Sequence, residues 1–428
     1  MRDKAVVAIA KDPSVDTMVQ QVFDALGGAE NIIRKNATVV LKPNAGHLGK
    51  PGTSVNTSAA LVGSVAKAVR EAGAGKVIIA EAAAIGCDTM ECLEDSGIAE
   101  AARQAGVDAI LDIKADKDLI TIPIRNTRSD IKSIKLPRFL LEAEHIINMP
   151  VFKSHASMVF SCALKNIKGV VQDKVHYEMH KTNLAMAMMD IWSVVKADLN
   201  IADLIWPAEG FGPHSPVPLD FGCVLASRDP VALDAVACHC VGLDMNRVSY
   251  FDNAREAGLG CAEIEDIEVR GKSIKEVYQK MWLPYLDGFD TWPEYEFHTE
   301  NSCSSCQSLV AFTMEKLKAL GEYDKNTDAV ICLGTKDEVP DVPKERLILC
   351  GNCLKKHRGK GVAVNGCPPS EPHVAWAIVD REDQMDIGPG FRERMHAEEA
   401  PWNQFIDGIV AKKRAEKHAA PRPAGDHT

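Results

Sequence analysis

The sequence predicts an α/β protein, with a large, mostly parallel α/β domain followed by a smaller carboxyl-terminal α/β domain that carries cysteines. Two observations support this fold class. Short apolar runs rich in β-branched residues alternate with helical stretches, a rhythm typical of parallel strands joined by crossover helices. In addition, many of the 13 cysteines crowd into the last third of the 428 residues.

The apolar runs that predict strands continue through the first 281 residues. The first set comprises AVVAIA at 5–10, TVVLKP at 38–43 and KVIIAEA at 76–82, with helices near 14–26 and 56–73. The second set comprises HIINMP at 145–150, a helix around 182–195, NIADLIW at 200–206, FGCVLAS at 221–227, a helix from Asp229, and IEVRG at 267–271. We therefore assign residues 1–281 to one large α/β domain.

The segment 282–300 is aromatic, acidic and interrupted by two prolines, which indicates a linker packed on the surface. Residues 301–395 predict the smaller α/β domain. Its elements are a helix over 303–320, the runs AVICLG at 329–334 and RLILCG at 346–351, and a helix near 371–380. The basic tail, 396–428, is expected to be helical or disordered because its end lacks apolar periodicity.

Bulk composition excludes several classes of partner. The net charge of −11 and the pI of about 5.7 disfavour binding to nucleic acid or to an anionic membrane. The amino terminus lacks a signal-peptide core, and no apolar run approaches the roughly 20 residues that span a bilayer. These features lead us to expect a cytoplasmic protein, with a small molecule or another protein as its partner.

Familiar nucleotide-binding motifs are missing from the sequence. No G-x-G-x-x-G follows a predicted strand, so neither a nicotinamide nor a flavin cofactor is expected from motifs. The glycines of the segment 72–76 precede a strand, and this order is typical of a helix stop rather than of a phosphate-binding loop.

The crowded cysteines indicate a metal centre, because the cytosol keeps thiols reduced and two C-x-x-C pairs occur close together. Cys332 and Cys350 fall in strand-like runs, where a sulfur belongs more often to the core. The remaining four are the predicted ligands of one [4Fe-4S] cluster: Cys303, Cys306, Cys353 and Cys367. Cys350 is the reserve ligand, and structural zinc or reduced structural cysteines are the alternatives.

Polar side chains follow the predicted strands TVVL and HIINM, where open α/β sheets bind ligands. We expect them to form a pocket for a small anion. The predicted catalytic residues are Lys153, His155 and Lys165, because crowded amines and imidazoles titrate near neutrality. The predicted substrate-binding residues are Lys42, Asn44, Asn166, Lys168 and Glu209. The alternative is that these lysines are ordinary solvated loop residues.

Two further segments suggest weaker sites. Glu209 lies in DLIWPAEGFGP, where paired glycines allow a ligand to approach the backbone, although an acidic turn explains the pattern equally well. His176 and His180 stand one helical turn apart. This spacing suits a metal but lacks the glutamate position of zinc proteases.

Several segments resemble the family known as domain of unknown function 362. The resemblance rests on MPVFKSHASMVFSCALKNIKG at 149–169, DLIWPAEGFGP, ASRDPVALDAVA at 226–237 and the ending CGNC…VNGCPP. It implies an iron–sulfur protein and favours Cys353 over Cys350 as a ligand. It also implies functional roles at recurrent polar positions of the family: Lys42, Lys153, His155, Lys165 and Asn166. A two-cluster ferredoxin motif is missing, so one cluster at most is expected.

The leading hypothesis is an iron–sulfur oxidoreductase of anaerobic metabolism that passes electrons to a small anionic substrate, with a ferredoxin-like protein as electron donor. One alternative is a lyase or isomerase in which the cluster acts as a Lewis acid. Another is a non-catalytic electron-transfer subunit.

Overall fold

The structure is a computed structural model that describes residues 4–213, 215–283, 286, 288–384 and 389–419. It contains a large sheet, a separate four-stranded sheet and a two-stranded ribbon, all accompanied by helices. The predicted α/β fold class is thereby confirmed.

The strands, in chain order, are β1 (Ala5–Lys11), β2 (Thr38–Pro43), β3 (Lys76–Glu81), β4 (Ala109–Asp112), β5 (Leu119–Pro123), β6 (Ser133–Pro137), β7 (His145–Met149), β8 (Val151–His155), β9 (Val159–Ser161), β10 (Leu199–Phe211), β11 (Ser215–Pro218), β12 (Cys223–Ser227), β13 (Ile267–Gly271), β14 (Glu296–His298), β15 (Val330–Leu333), β16 (Leu347–Cys350) and β17 (Val362–Val364).

The α-helices are α1 (Val15–Ala25), α2 (Ala29–Ile32), α3 (Ala59–Glu71), α4 (Thr89–Asp95), α5 (Ile98–Gln104), α6 (Arg138–Glu142), α7 (Ala163–Asn166), α8 (Asp173–Lys181), α9 (Leu184–Val194), α10 (Pro230–Cys240), α11 (Tyr250–Ala257), α12 (Ile274–Val277), α13 (Ser304–Ala319), α14 (Glu371–Val379) and α15 (Pro389–Ala419). Short 3₁₀ helices include Ile167–Val170 and Asn352–His357.

The large sheet has the strand order β13-β1-β12-β10-β7-β2-β3-β4, and β8, β9 and β11 extend it beside β10. Its centre is parallel, since β2 pairs in parallel with both β3 and β7, and β7 pairs in parallel with β10. The strand β12 is antiparallel to both of its neighbours, β1 and β10. The carboxyl ends of β2, β3 and β7 therefore lie at one edge of the sheet.

Both faces of this sheet are buried. In β2, Val39 and Leu41 pack into the core formed with α1 and α3, whereas Val40 packs into the core on the opposite face. Alternate residues of a strand point to opposite faces, so a continuous apolar run is required where both faces are covered. This requirement explains why the central strands were recognisable in the sequence.

Helix boundaries follow local capping chemistry. The Ser58 hydroxyl accepts a hydrogen bond at the start of α3, and the Asp229 carboxylate does so at the start of α10, where Pro230 occupies the first turn. After α3, Gly73 adopts a φ of 102°, which glycine tolerates and which ends the helix. The glycine-rich segment is thus the predicted helix stop.

The smaller sheet is parallel, with the order β14-β15-β16-β17, and α13 and α14 pack against it. Its edge strand β14 comes from the segment predicted as a linker. Within the same segment Trp292 is buried against α13 and donates a hydrogen bond to Glu315. The described part of the segment is therefore integrated into the small sheet, because its aromatic side chains supply apolar surface to that core.

Helix α15 joins the two sheets. The Trp402 ring packs edge-on against Phe211 at the end of β10, and its indole nitrogen donates to Ser215 Oγ at 2.7 Å. Of the two states expected for the tail, the helical one is observed through Ala419, while 420–428 lie outside the described residues. Among the described helices, none combines the length and apolar character needed to cross a membrane.

Candidate functional site

A buried ion pair marks the edge of the large sheet. Lys42 Nζ at the end of β2 lies 2.8 Å from Glu81 Oε2 at the end of β3, and both side chains are almost completely buried. The backbone amides of Ala45 and Ala82 also donate to the Glu81 carboxylate. Burial lowers the pKa of Lys42 and raises that of Glu81, and their mutual attraction opposes both shifts.

The ion pair depends on a glycine beside it. A Cβ at Gly169 would lie 2.0 Å from Glu81 Oε1 and 2.7 Å from Lys42 Nζ. Only glycine leaves room for the two charged groups at this position.

A chain of amide side chains runs from this ion pair across the sheet. Lys42 Nζ donates to Asn166 Oδ1, Asn166 donates to Asn148 Oδ1 at 2.8 Å, and Asn148 donates to Asn200 Oδ1 at 2.9 Å. Asn200 in turn donates to the carbonyl of Ser227. The chain joins β2, α7, β7, β10 and β12 and fixes the orientation of each amide group.

Lys153 lies beside this network but has no carboxylate partner among the described residues. Its Nζ donates to Asn44 Oδ1 and to the Val55 carbonyl, both at 2.6 Å. Burial lowers the pKa of Lys153 to about 7. The amine is therefore poised to gain or lose a proton near neutral pH.

Lys165 and Lys168 come from the short helices that follow β9. The carboxylate of Asp234 accepts hydrogen bonds from the amides of Ala163 and Leu164 and so positions the first turn. Burial lowers the pKa of Lys168 to about 8, and its Nζ lies 3.1 Å from His180 Nε2. Burial, followed by the charges of Lys168 and Lys153, holds the pKa of Lys165 well below its usual value.

These four lysines form what we call the lysine cluster: Lys42, Lys153, Lys165 and Lys168. No hydrogen bond or ion pair joins the side-chain amine of Lys165 to the residues that the structure describes. The alternative of ordinary solvated loop lysines is wrong. Lys42 and Lys153 lie inside strands and are buried, and Lys165 and Lys168 are partly buried on helical turns.

Two of the predicted site residues have different surroundings. His155, at the end of β8, is buried, and its Nδ1 accepts a hydrogen bond from the amide of Ser157. Glu209 accepts from the backbone amide of Trp282 at 2.7 Å and pairs with Lys413 of α15. These contacts of Glu209 belong to the junction with α15 and not to the lysine cluster.

The predicted cluster cysteines lie in three segments around the small sheet, which we call the cysteine loops: the start of α13, the 3₁₀ helix Asn352–His357 and the turn at Cys367. Cys303 precedes α13 and is exposed, whereas Cys306 lies in its first turn and is buried. A hydrogen bond from the Cys306 thiol, assisted by backbone amides of the helix start, lowers the pKa of Cys303 to about 6. A thiolate is thus stabilised at this end of α13.

The loops of Cys353 and Cys367 are bonded to each other. The amide of Asn352 donates to the Gly366 carbonyl at 2.9 Å, and the amide of Gly366 donates to Asn352 Oδ1 at 3.0 Å. Cys306 Sγ lies 3.4 Å from the position of a Cβ at Gly351, so the loop that precedes Cys353 packs next to this sulfur. The three loops therefore bring the four thiols into one region.

Cys332 and Cys350 lie inside β15 and β16 and are fully buried. Among the described residues, no three His, Cys, Asp or Glu side chains are grouped closely enough to hold a single metal ion. The ligands of a four-iron cluster bind separate irons and stand farther apart than ligands of one ion. Four thiols from three loops, with a helix start beside them, are compatible with such a cluster.

The cysteine loops contact the helix that borders the lysine cluster. The amide of Cys367 donates to the His180 carbonyl, the amide of Leu184 donates to the Cys367 carbonyl, and Asn352 donates to the Lys181 carbonyl. The His180 side chain contacts Lys168 on its other side. One residue, His180, therefore touches both groups.

Sequence reasoning missed three members of the buried network, Glu81, Asn148 and Asn200. Each is a polar residue within or at the end of an otherwise apolar strand. That exception to the apolar pattern was the available signal, since a buried polar group requires a partner. The paired histidines both contact Lys168, His176 Nε2 at the backbone carbonyl and His180 Nε2 at the side-chain amine.

The fold and this strand edge define a mixed α/β protein with a basic, partly buried site. Residues 39–239, a little under half of the chain, match the family model described as Domain of unknown function (DUF362). The match confirms the resemblance for the segments that lie within this range, and it covers most of the large sheet, including the lysine cluster.

A search of known proteins finds a thylakoid-associated protein of Synechocystis sp., 28% identical over 252 residues, which covers 56% of this chain and 74% of the relative. Among solved structures, the lactate racemase apoprotein of Thermoanaerobacterium thermosaccharolyticum has a TM-score of 0.33 at 11% identity. That match covers 49% of this chain and about half, 52%, of the racemase chain.

A protein of Thermotoga maritima has a TM-score of 0.35 at 12% identity, and the match covers 89% of this chain and 86% of the other. Similarities at these TM-scores carry no argument about the activity of this chain.

Proposed function

We propose that this protein is an iron–sulfur oxidoreductase that acts on a small anionic substrate bound at the lysine cluster. The observation that carries the proposal is the contact of His180 with both the Cys367 loop and Lys168. An electron-transfer centre is useful only when it lies close to the substrate, and this contact links the two regions directly.

The lysine cluster supplies the binding chemistry. Lys165 has no counter-charge within hydrogen-bond reach among the described residues, and Lys153 is held only by neutral oxygens. An anion that enters beside them restores the charge balance and raises the pKa of both amines. Anion binding would therefore be accompanied by proton uptake, and Lys153 could then return a proton to the reduced substrate.

The cysteines are suited to hold the cofactor. When bound by Cys303, Cys306, Cys353 and Cys367, a [4Fe-4S] cluster supplies single electrons at low potential. Cys303 and Cys353 are exposed, so this end of the small sheet is accessible to an electron donor of the ferredoxin type. We include a cytoplasmic, anaerobic setting in the proposal, since exposed clusters are sensitive to oxygen.

The test is anaerobic purification followed by iron and acid-labile sulfide analysis and electron paramagnetic resonance. We expect about four irons and about four sulfides per chain. Stoichiometric zinc without sulfide would refute the cofactor assignment.

Anion binding is tested separately by thermal denaturation with inorganic phosphate and oxalate as probes, because a ligand of the folded state raises the melting temperature. The variant Lys165→Met should lose this rise and keep the cluster spectrum. The matched control Lys35→Met, at an exposed lysine, should retain both properties. An unchanged rise in Lys165→Met would contradict the assignment of the lysine cluster.

A further inference from the structure

A second group of thiols lies away from the predicted cluster ligands, after β3. Cys87 Sγ is 3.5 Å from His47 Nδ1, and the Cys92 thiol is near enough to the Cys87 sulfur to lower its pKa. Cys87 is partly exposed beside the exposed Ile85, whereas Cys92 in α4 is completely buried. Two neighbouring thiols of unequal access, with an imidazole beside the accessible one, are the arrangement used in thiol–disulfide exchange.

We propose that Cys87, Cys92 and His47 form a redox-active dithiol site that exchanges with low-molecular-weight disulfides. This inference is independent of the proposed iron–sulfur function, since the residues belong to neither the lysine cluster nor the cysteine loops.

The reaction balances as two exchanges. The Cys87 thiol passes its proton to His47, and Cys87 Sγ attacks one sulfur of the external disulfide, which breaks. The leaving thiolate takes the proton back from His47 and departs as one thiol. Cys92 Sγ then attacks Cys87 Sγ, the mixed disulfide breaks, and a second thiol leaves with the Cys92 proton. The external disulfide gains two electrons, and the Cys87–Cys92 pair loses two and becomes a disulfide.

Electrostatics support Cys87 as the attacking sulfur. The hydrogen bond from Cys92 and the charge of Lys114 lower the pKa of Cys87 from 9.0 to about 7 against the effect of burial and of the nearby carboxylates of Asp173 and Glu91. At pH 7 such a thiol is about half ionised rather than about one per cent, and after the accompanying loss of nucleophilicity it reacts roughly sixfold faster.

The surrounding loop is held in place. Lys114 Nζ donates to the Cys87 carbonyl at 2.6 Å, and the amide of Ala84 donates to the Gly46 carbonyl at 2.9 Å. The second contact joins the loop of Cys87 to the loop of His47. These contacts hold the two loops next to each other, and so they keep the imidazole close to the thiol.

The experiment treats the full-length protein anaerobically with oxidised glutathione, alkylates the remaining thiols and analyses tryptic peptides by mass spectrometry. Cys87 and Cys92 lie in one tryptic peptide, 77–103. Their disulfide therefore appears as an unalkylated peptide that is about 2 Da lighter than the same peptide with two free thiols. Cys92→Ser should trap glutathione on Cys87, whereas Cys87→Ser should leave Cys92 reduced. His47→Asn should slow the exchange several-fold.

The matched control is Cys261, a partly exposed thiol whose pKa burial raises. At pH 7 in the unmodified protein, iodoacetamide should label Cys87 at least about sixfold faster than Cys261. Full alkylation of both Cys87 and Cys92 after glutathione treatment would overturn the proposal. Equal labelling rates of Cys87 and Cys261 would also overturn it, and this measurement needs no variant.

Discussion

The lysine cluster and the cysteine loops differ in how the fold holds them. The lysine cluster is anchored in the large sheet, where Lys42 is fixed by Glu81 and by a chain of buried amides. The cysteines lie on loops at the edge of the small sheet, held by a few backbone contacts such as those between Asn352 and Gly366. The first region is organised by protein contacts alone, whereas the second is suited to be completed by a cofactor.

This difference predicts which property each kind of substitution should change, the stability of the domain or the binding of a cofactor. A buried, connected polar network contributes to the stability of the whole domain, because removal of one partner leaves another unsatisfied. The cysteines on loops would contribute mainly to holding the proposed cluster. The experiments below are designed to separate these effects.

The largest expected effect is loss of iron from the cysteine loops. Cys303→Ser, Cys306→Ser, Cys353→Ser and Cys367→Ser should each lose or destabilise the cluster, because a serine oxygen is a poorer ligand for iron than a thiolate. The control Cys332→Ser should retain the iron. Iron analysis after anaerobic purification measures the outcome, and iron retention in Cys353→Ser with loss in Cys350→Ser would reverse the ligand assignment.

Next in size is the effect of breaking the buried ion pair. Lys42→Met should destabilise the protein by about 3–5 kcal/mol, because Glu81 is left buried without its counter-charge. The control Lys50→Met breaks an exposed pair with Asp95 and should cost far less. Denaturant unfolding measures both variants. The double variant Lys42→Met with Glu81→Leu should recover part of the lost stability. Equal stability of Lys42→Met and the control Lys50→Met would contradict the interpretation.

A smaller effect is expected in the amide chain. Asn148→Leu removes hydrogen bonds to Asn166, Asn200 and the Ala163 carbonyl and should cost about 1–3 kcal/mol. Asn31→Leu, at an exposed asparagine, should change stability by less than about 0.5 kcal/mol. Urea titration distinguishes the two variants. An unchanged stability of Asn148→Leu would show that the hydrogen bonds of the amide chain contribute little to folding.

The effect that is smallest per pH unit concerns the pH dependence of stability. The folded-state pKa of Lys153 is about 7, below the ordinary 10.5, so between these values the unfolded chain binds more protons and stability rises with pH. Lys153→Met should reduce that slope by up to about 1.4 kcal/mol per pH unit, the value for one proton. Unfolding at several pH values from 7 to 10 measures the slope. Lys35→Met should leave it unchanged, and an unaltered slope in Lys153→Met would mean that the amine stays charged when folded.

Much of the fold was predictable because apolar runs mark strands that are buried on both faces. The central strands β2, β3 and β7 and the helices α3 and α10 lie close to their predicted ranges. The short elements between residues 83 and 137 escaped prediction. Of these, β4 and β5 contain no fully buried residue, and β6 is a short strand of five residues with two exposed positions.

Sequence alone determined the residue types of both candidate sites, since Lys42, Lys153 and Lys165 follow or end apolar runs and the cysteine spacing marks the small domain. Only the tertiary structure decided their partners. Glu81 reaches Lys42 because parallel pairing of β2 and β3 aligns their carboxyl ends, although 39 residues separate them along the chain. His180 reaches both Lys168 and Cys367 only after two sheets pack together, a long-range contact that no local pattern encodes.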